Sequence, residues 1–250
     1  MATLESSMSN PFGRAIRDWY HGDQSEPLIQ RDGEETHSHP IEQFYFEPFP
    51  DAADGDAADW LESWLSGPLL DIGAGAGRHA LYFQQQFETV AIEPSDPLVE
   101  TMCDRGVQDA CHGDMFKLRE QFERDRFQSA LAIGTQLGLV KSMHGLETFL
   151  ADLASVTTDD ATAVVDCFDP TVPETAELLG YREDSTPGLA FRVMGFEYQD
   201  ELGETLLFRL FSPDRLREAT AETDWTVVEI TRPMADRYYR AALEKQCKNL

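Results

Sequence analysis

The sequence predicts an α/β fold built on a doubly wound parallel sheet, and three observations predict it. From residue 68 onward, short apolar runs alternate with segments of helical periodicity, the pattern of strands joined by crossover helices. Most of the runs are predominantly apolar, as in strands covered on both faces. The first of them carries an acid at its end and passes at once into a glycine-rich turn and a helical segment, 69-LLDIGAGAGRHALYFQQQ-86.

Each element has its own signal. Residues 11–21, PFGRAIRDWYH, read as a short helix with proline in its first turn. Residues 22–40 are polar and turn-rich and read as a loop. The stretch 41-IEQFYFEPFP-50 is dense in aromatics. A helix is expected within 51–67, with Trp60, Leu61, Trp64 and Leu65 on one face. Strands follow at 68–72, 89–93, 107–112, 127–134 and 161–168, with helices at 77–86, 96–105 and 144–156. After Asp169 and Pro170 the pattern changes. Residues 189–200 and 204–212 read as a β-hairpin with Gly203 near its turn. A proline-opened helix is expected over 213–223, and two closing strands over 225–231 and 237–245. No linker interrupts 68–250. The chain therefore divides into an N-terminal extension or lid over 1–66 and one domain over 67–250, with the hairpin at 189–212 as an insertion.

Composition narrows the function. A chain of 250 residues with 42% hydrophobic content builds a sizeable core. No apolar run approaches the roughly 20 residues of a membrane span. The N-terminal residues lack the basic and apolar regions of a secretory signal. The four cysteines, Cys103, Cys111, Cys167 and Cys247, are scattered, which fits a reduced cytoplasmic chain. The formal charge is −26, from 46 acidic and 20 basic residues. Self-repulsion on that scale opposes compaction in dilute buffer and is screened in molar salt. The composition resembles that of cytoplasmic proteins from extreme halophiles. It is a poor match for a polyanion, so DNA is not expected as a partner.

The glycine turn is the candidate site. In open α/β sheets ligands bind outside the carboxyl ends of strands, where connections diverge. Asp71 and Ile72 end the first strand, and Gly73, Ala74, Gly75, Ala76 and Gly77 form the crossover. Three alternating glycines exceed what a bare turn requires. A dinucleotide fingerprint GxGxxG starting at Gly73 would need glycine at 78, where Arg78 stands. The pattern is DxGxGxG instead. Glu93 ends the second strand, 20 residues after Gly73. An acid there can accept both hydroxyls of a ribose, which suits any adenosine cofactor.

Here the chain resembles the class I S-adenosylmethionine-dependent methyltransferases. The resemblance rests on 70-LDIGAGAGRHALYF-83, the acid-ended 90-VAIEPSDPLVETM-102, 111-CHGDMF-116 and 130-ALAIGTQLGLV-140, in that order. It implies a Rossmann-like seven-stranded sheet with a reversed last strand, with S-adenosylmethionine as cofactor. Asp71, Gly73, Ala74, Gly75 and Gly77 would shape the methionine side of the pocket. Glu93, followed by Pro94, would bind the ribose hydroxyls. Asp114 would hold the adenine amino group with the Met115 backbone beside it. Ile133, Gly134 and Thr135 would line the methionine end. The N-terminal piece 10-NPFGRAIRDWYHG-22 is similar to one found ahead of the sheet in small bacterial and archaeal members, where such segments fold over the cofactor. Arg14 and Tyr20 are then candidates for the methionine carboxylate or the substrate.

Competing roles stand beside these. Glu93 can be a solvated strand end, and Asp114 a helix cap. Arg78 and His79 sit in the first turn after the glycines or on the surface. His37 and His39 have no third ligand at a suggestive spacing, so no metal is expected. Methyl transfer needs alignment and a dry pocket more than a catalytic dyad. The sequence reads GTQLGL after the fourth strand, not the Asn/Asp-Pro-Pro-aromatic signature of enzymes that methylate planar amino groups. Gln136, Glu197 and Tyr198 are candidates to reach the acceptor. The expected function is methyl transfer to a small-molecule acceptor. The alternatives are a protein or RNA methyltransferase, a dinucleotide-dependent oxidoreductase, and a non-catalytic adenosine-ligand sensor.

Overall fold

A computed structural model describes residues 10–50, 55–233 and 236–246. The start of the helix expected at 51–67, and Cys247 with Lys248, lie outside the described residues. Chain order begins with α1 (Pro11–His21), β1 (Ile29–Asp32), β2 (Glu35–Ser38) and α2 (Gly55–Trp64). The alternating part follows as β3 (Leu69–Ile72), α3 (Arg78–Phe83), β4 (Thr89–Glu93), α4 (Asp96–Arg105), β5 (Asp109–His112), α5 (Leu118–Gln121), β6 (Phe127–Ala132), α6 (Met143–Val156) and β7 (Thr157–Phe168). Then come β8 (Tyr181–Glu183), β9 (Leu189–Tyr198), β10 (Glu201–Leu202), β11 (Leu206–Phe211), α7 (Pro213–Ala221), β12 (Trp225–Thr231) and β13 (Tyr238–Lys245).

The main sheet has seven strands in the order β12-β13-β7-β6-β3-β4-β5. Strands β7, β6, β3, β4 and β5 pair in parallel, while β13 is antiparallel to both β7 and β12. The expected sheet with its reversed last strand is therefore present. β3 and β4 are buried along their whole length, which is why they read as unbroken apolar runs. Trp225, Phe149, Leu150 and Phe127 fill the core between this sheet and α6 and α7. The chain runs from β3 to β4 and β5 on one side, then returns to β6 and β7 on the other. The switch point lies at the carboxyl ends of β3 and β6.

The second sheet corrects the loop reading of 22–40. Residues 29–38 form the antiparallel hairpin β1-β2, and β1 pairs with β9. The strands are short and polar, IQRD and ETHS, and β2 is exposed throughout. Nothing in their side chains marks a strand; the pairing of β1 with β9, and of β2 with β1, makes them strands. β9 is the spine of this six-stranded sheet. Its first half pairs with β11 and β8, its second with β1 and β10. The expected hairpin at 189–212 is present as β9 and β11. Its turn falls at Gln199 and Asp200, both with positive φ, rather than at Gly203. Gly203 serves instead at a close approach: a Cβ there would lie 3.0 Å from Pro11.

α1 joins the two sheets. Asn10 accepts the Gly13 amide at 2.9 Å, Pro11 occupies the first turn, and Gly22 ends the helix in the left-handed region at φ 77°. Ala15 and Ile16 are fully buried in a cluster with Leu28, Leu98 on α4, and Met194, Phe196 and Tyr198 on β9. α2 presents Leu61 to the core, with Leu65 just beyond its end.

Candidate active site

Residues 73–77 bridge β3 and α3 with Gly73, Gly75 and Gly77 at φ 67°, 58° and 80°. Side chains resist that region, so glycine is what lets the loop turn this tightly and leaves its backbone open. The Gly73 and Ala74 amides donate to the Ile92 carbonyl, which pins the loop to the end of β4. A Cβ at Gly73 would collide with the Gln136 amide, and one at Gly75 would lie 3.3 Å from the Tyr45 ring. The loop is thus faced by one residue from the segment after β6 and one from the N-terminal region.

Two carboxylates flank it. Glu93 is buried; its Oε2 accepts the Gly75 amide at 3.1 Å and its Oε1 the Ser95 amide at 3.3 Å. It is not a solvated strand end. Burial raises it to about 7, against the lowering effect of those two amides. Asp71 is buried as well. One carboxylate oxygen takes the Ala80 amide in the first turn of α3, and Oδ2 has no partner among the described residues. Burial, then the charge of Glu93, raises Asp71 to about 7. Pro94 follows Glu93 into α4, whose N-cap is Ser95.

The remaining expected residues distribute around this centre. Asp114 follows β5 and caps the next turn, its Oδ1 accepting the Phe116 amide at 2.9 Å. The helix-cap role is therefore real, and Oδ2 faces Lys117 at 3.7 Å. Met115 is buried. Gly134, beyond β6, donates its amide to Asp166 at 2.7 Å, and Thr135 does so at 2.9 Å. Arg14 pairs with Glu201 at 2.5 Å and lies over the Tyr198 ring. The Tyr20 hydroxyl donates to the Asp104 carbonyl on α4 at 3.1 Å. Glu197 pairs with Arg31, and the Tyr198 hydroxyl with Asp18. Arg78 donates to the Glu47 and Pro48 carbonyls and His79 packs edge-on against Phe49, so both hold the N-terminal segment at the site. Among the described residues, no group of three or more His, Cys, Asp or Glu side chains is placed to hold a metal.

Three groups escaped the sequence reading. Tyr45, in the irregular helical segment Glu42–Phe46, is the N-terminal residue that faces the loop, and its backbone carbonyl is held by Arg105 at 2.8 Å. The same guanidinium reaches the Ala76 carbonyl at 2.5 Å. Tyr45 ends a directed chain. Arg192 donates to Gln30 Oε1 at 2.7 Å, so Gln30 Nε2 faces His39 Nδ1 at 2.7 Å. An amide N–H donating there leaves the imidazole proton on Nε2, which meets the Tyr45 hydroxyl at 3.1 Å. Burial, then the charge of Arg192, holds His39 down at about 4, in the neutral form this chain needs. The third group is Asp166, fully buried on β7, which organises Gly134, Thr135 and the Tyr238 hydroxyl. Its one sequence signal was an acid inside the apolar run AVVDCF.

No family model matches the sequence, and no curated protein is detectably similar to it in sequence. Solved structures match its fold. A SAM-dependent methyltransferase from Bacteroides fragilis, in complex with S-adenosyl-L-homocysteine, matches 95% of this chain and 95% of its own, with a TM-score of 0.76 and 23% identity. The 1,6-didemethyltoxoflavin-N1-methyltransferase of Burkholderia thailandensis covers 98% of this chain and 94% of its own, with a TM-score of 0.55 and 20% identity. An amino pentose methyltransferase from Micromonospora echinaspora covers 79% and 93%, with a TM-score of 0.57 and 14% identity. At these identities the likeness is one of architecture, and the architecture of this chain is the Rossmann-like sheet of the class I S-adenosylmethionine-dependent methyltransferases.

Proposed function

We propose that this chain is an S-adenosylmethionine-dependent methyltransferase whose acceptor is a small molecule. The observation that carries the reading is the pair of buried carboxylates, Asp71 and Glu93, ending adjacent parallel strands around the glycine loop. A buried carboxylate oxygen without a donor, as at Asp71 Oδ2, is costly unless a ligand supplies one. S-adenosylmethionine fits: its ribose hydroxyls suit Glu93, its adenine amino group suits Asp114 beside Met115, and its methionine portion suits the backbone of Gly73, Ala74, Gly75, Gly77 and Gly134. Arg14 and Tyr20 would reach it only on leaving Glu201 and Asp104. A dinucleotide is disfavoured by Arg78 in place of the third fingerprint glycine.

When bound, this cofactor supplies an electrophilic methyl group on a sulfonium. The chain's own part is alignment and exclusion of water. The Asp166 carboxylate fixes the Gly134 and Thr135 amides, and Tyr45 and Gln136 close over the glycines. The strand ends are roofed by the second sheet, with Phe208 and the Arg209 backbone packed on Gly138. Such a roof favours a small acceptor over a macromolecule. Two of the structural neighbours carry names of methyltransferases for small molecules, which supports the same class.

The test is transfer of label from methyl-labelled S-adenosylmethionine to a cell metabolite extract in molar potassium chloride. Label in the small-molecule fraction is expected. Label in protein or RNA instead would replace the acceptor class. Cofactor binding with no turnover on any fraction would favour a sensor.

A further inference from the structure

This acidic chain gives its arginines carboxylate partners readily: Arg17 with Glu100 and Asp104, Arg182 with Asp32, Arg209 with Asp184, Arg232 with Asp169. Arg192 on β9 is an exception. Its Nε donates to the Leu179 carbonyl at 2.8 Å and its Nη2 to Gln30 Oε1 at 2.7 Å, both neutral acceptors. Those two bonds use two of the five guanidinium donors. Nη1 has no protein acceptor among the described residues. The charge that bears on Arg192 is another cation, Arg237, and burial with that cation lowers it to about 10, so it stays charged at neutral pH.

Arg192 also lines a small cavity of about 10 Å³ with Thr135, Cys167, Phe168 and Phe208. The cavity sits over the carboxyl ends of β6 and β7, next to Gln136. Glu93 and Asp114 lie at the other side of the switch point, after β4 and β5. The cation therefore stands at the end of the site where the methyl group would leave, against an aromatic wall and without a counter-ion. A half-buried charge in that position is costly unless something of opposite sign meets it.

We propose that Arg192 anchors an oxyanion on the methyl acceptor, so that the acceptor is a small acid carrying a carboxylate or phosphate group. The proposal rests on the methyltransferase reading of the same site. A guanidinium grips a planar carboxylate or a phosphate through paired N–H donors. At about 10 Å³ the cavity is at the lower limit for one water, so the oxyanion meets Arg192 only where Phe168 or Phe208 gives way, and the body of the acceptor lies toward Gln136. Local contact is needed because the net charge of −26 repels an anion at long range, and salt screens that repulsion but not a buried pair.

Calorimetric titration of the full chain, saturated with S-adenosylhomocysteine in molar potassium chloride, tests this with benzoate, phenyl phosphate and the neutral isostere benzamide. One of the two acids is expected to bind and benzamide not to; which acid binds identifies the anion. Arg192→Gln keeps a donor for the Leu179 carbonyl but removes the charge. It is expected to weaken the acid about ten- to a hundredfold, as for a lost charged hydrogen bond, a larger fall than any in S-adenosylhomocysteine affinity, which Arg192 touches only through Gln30, His39 and Tyr45. Arg192→Lys is expected to retain the preference for acid over amide. Equal binding of acid and amide, binding of neither, or acid binding undiminished in Arg192→Gln overturns the proposal. Failure of the parent to bind S-adenosylhomocysteine overturns the methyltransferase reading instead, and the acid–amide comparison repeated without it still decides the role of Arg192.

Discussion

Glu93 holds the glycine loop with the same carboxylate it would offer to a ribose. Each oxygen already takes one backbone amide, and each has a second lone pair for a hydroxyl donor. Glu93→Ala is expected to weaken S-adenosylhomocysteine binding by about 1.5–3 kcal/mol, the range for hydrogen bonds to a charged group. An unchanged dissociation constant would remove Glu93 from the cofactor site. The raised pKa values of Asp71 and Glu93, both to about 7, carry a pH prediction with a definite sign. An unfolded carboxyl titrates near 4, so between about pH 4 and 7 the folded chain holds more protons than the unfolded one. These two groups therefore lower stability progressively as pH rises through that window. Ligand binding runs the other way, because hydroxyl and ammonium donors need the ionised carboxylates. Affinity for S-adenosylhomocysteine is expected to rise from pH 6 to 8, with a smaller rise in Glu93→Gln; a flat profile in the parent would show that neither carboxylate meets the ligand. Legibility in the sequence followed chain distance. Asp71, Gly73, Gly75, Gly77 and Glu93 lie in one strand-turn-helix-strand unit and could be read together. Tyr45 and Arg105 meet only through tertiary packing, and no local pattern marks either as facing the loop.

The N-terminal helix invites description as a lid, and its packing makes it more than that. Ile16 is wholly buried against Leu98 and Phe196, and Arg17 bridges Glu100 and Asp104 on α4. Ile16→Ala is expected to cost about 2–4 kcal/mol of unfolding free energy, the usual cost of a large-to-small change in a core. Chemical denaturation checks this, and a cost below about 1 kcal/mol would mean that α1 is a detachable cover rather than part of the core. The segment that covers the glycines is the next one, Glu42–Phe46, held at its carbonyls by Arg105 and followed by carbonyls held by Arg78. Element by element, β3, β4, β6 and the second half of β7 were legible because both faces are buried and the runs are apolar. β1 and β2 were not, since they are polar and owe their form to pairing, β1 with β9 and the edge strand β2 with β1. The first residues of β7, Thr157–Asp160, were missed because they are polar and partly exposed, and residues 158–160 fall in the register shift between the Thr157 and Thr162 pairings with β6.

At the scale of the whole molecule, charge is the dominant feature. With a formal charge of −26, repulsion among carboxylates opposes the folded state in dilute buffer. At molar ionic strength the screening length falls to about 3 Å, and the repulsion is largely removed. The melting temperature is expected to rise steadily from dilute buffer to molar potassium chloride; a flat or falling curve would reject a salt-adapted surface. No helix among the described residues is long and apolar enough to cross a membrane. The same salt sets the condition for testing the central claim, that the glycine loop with Asp71 and Glu93 is an S-adenosylmethionine site. The direct measurement is calorimetric titration of the chain in molar potassium chloride with S-adenosylhomocysteine and, separately, with NAD. The account predicts saturable binding of S-adenosylhomocysteine at one site per chain, at least about tenfold tighter than NAD, a gap of roughly 1.4 kcal/mol. Binding of NAD in preference, or of neither, would contradict it.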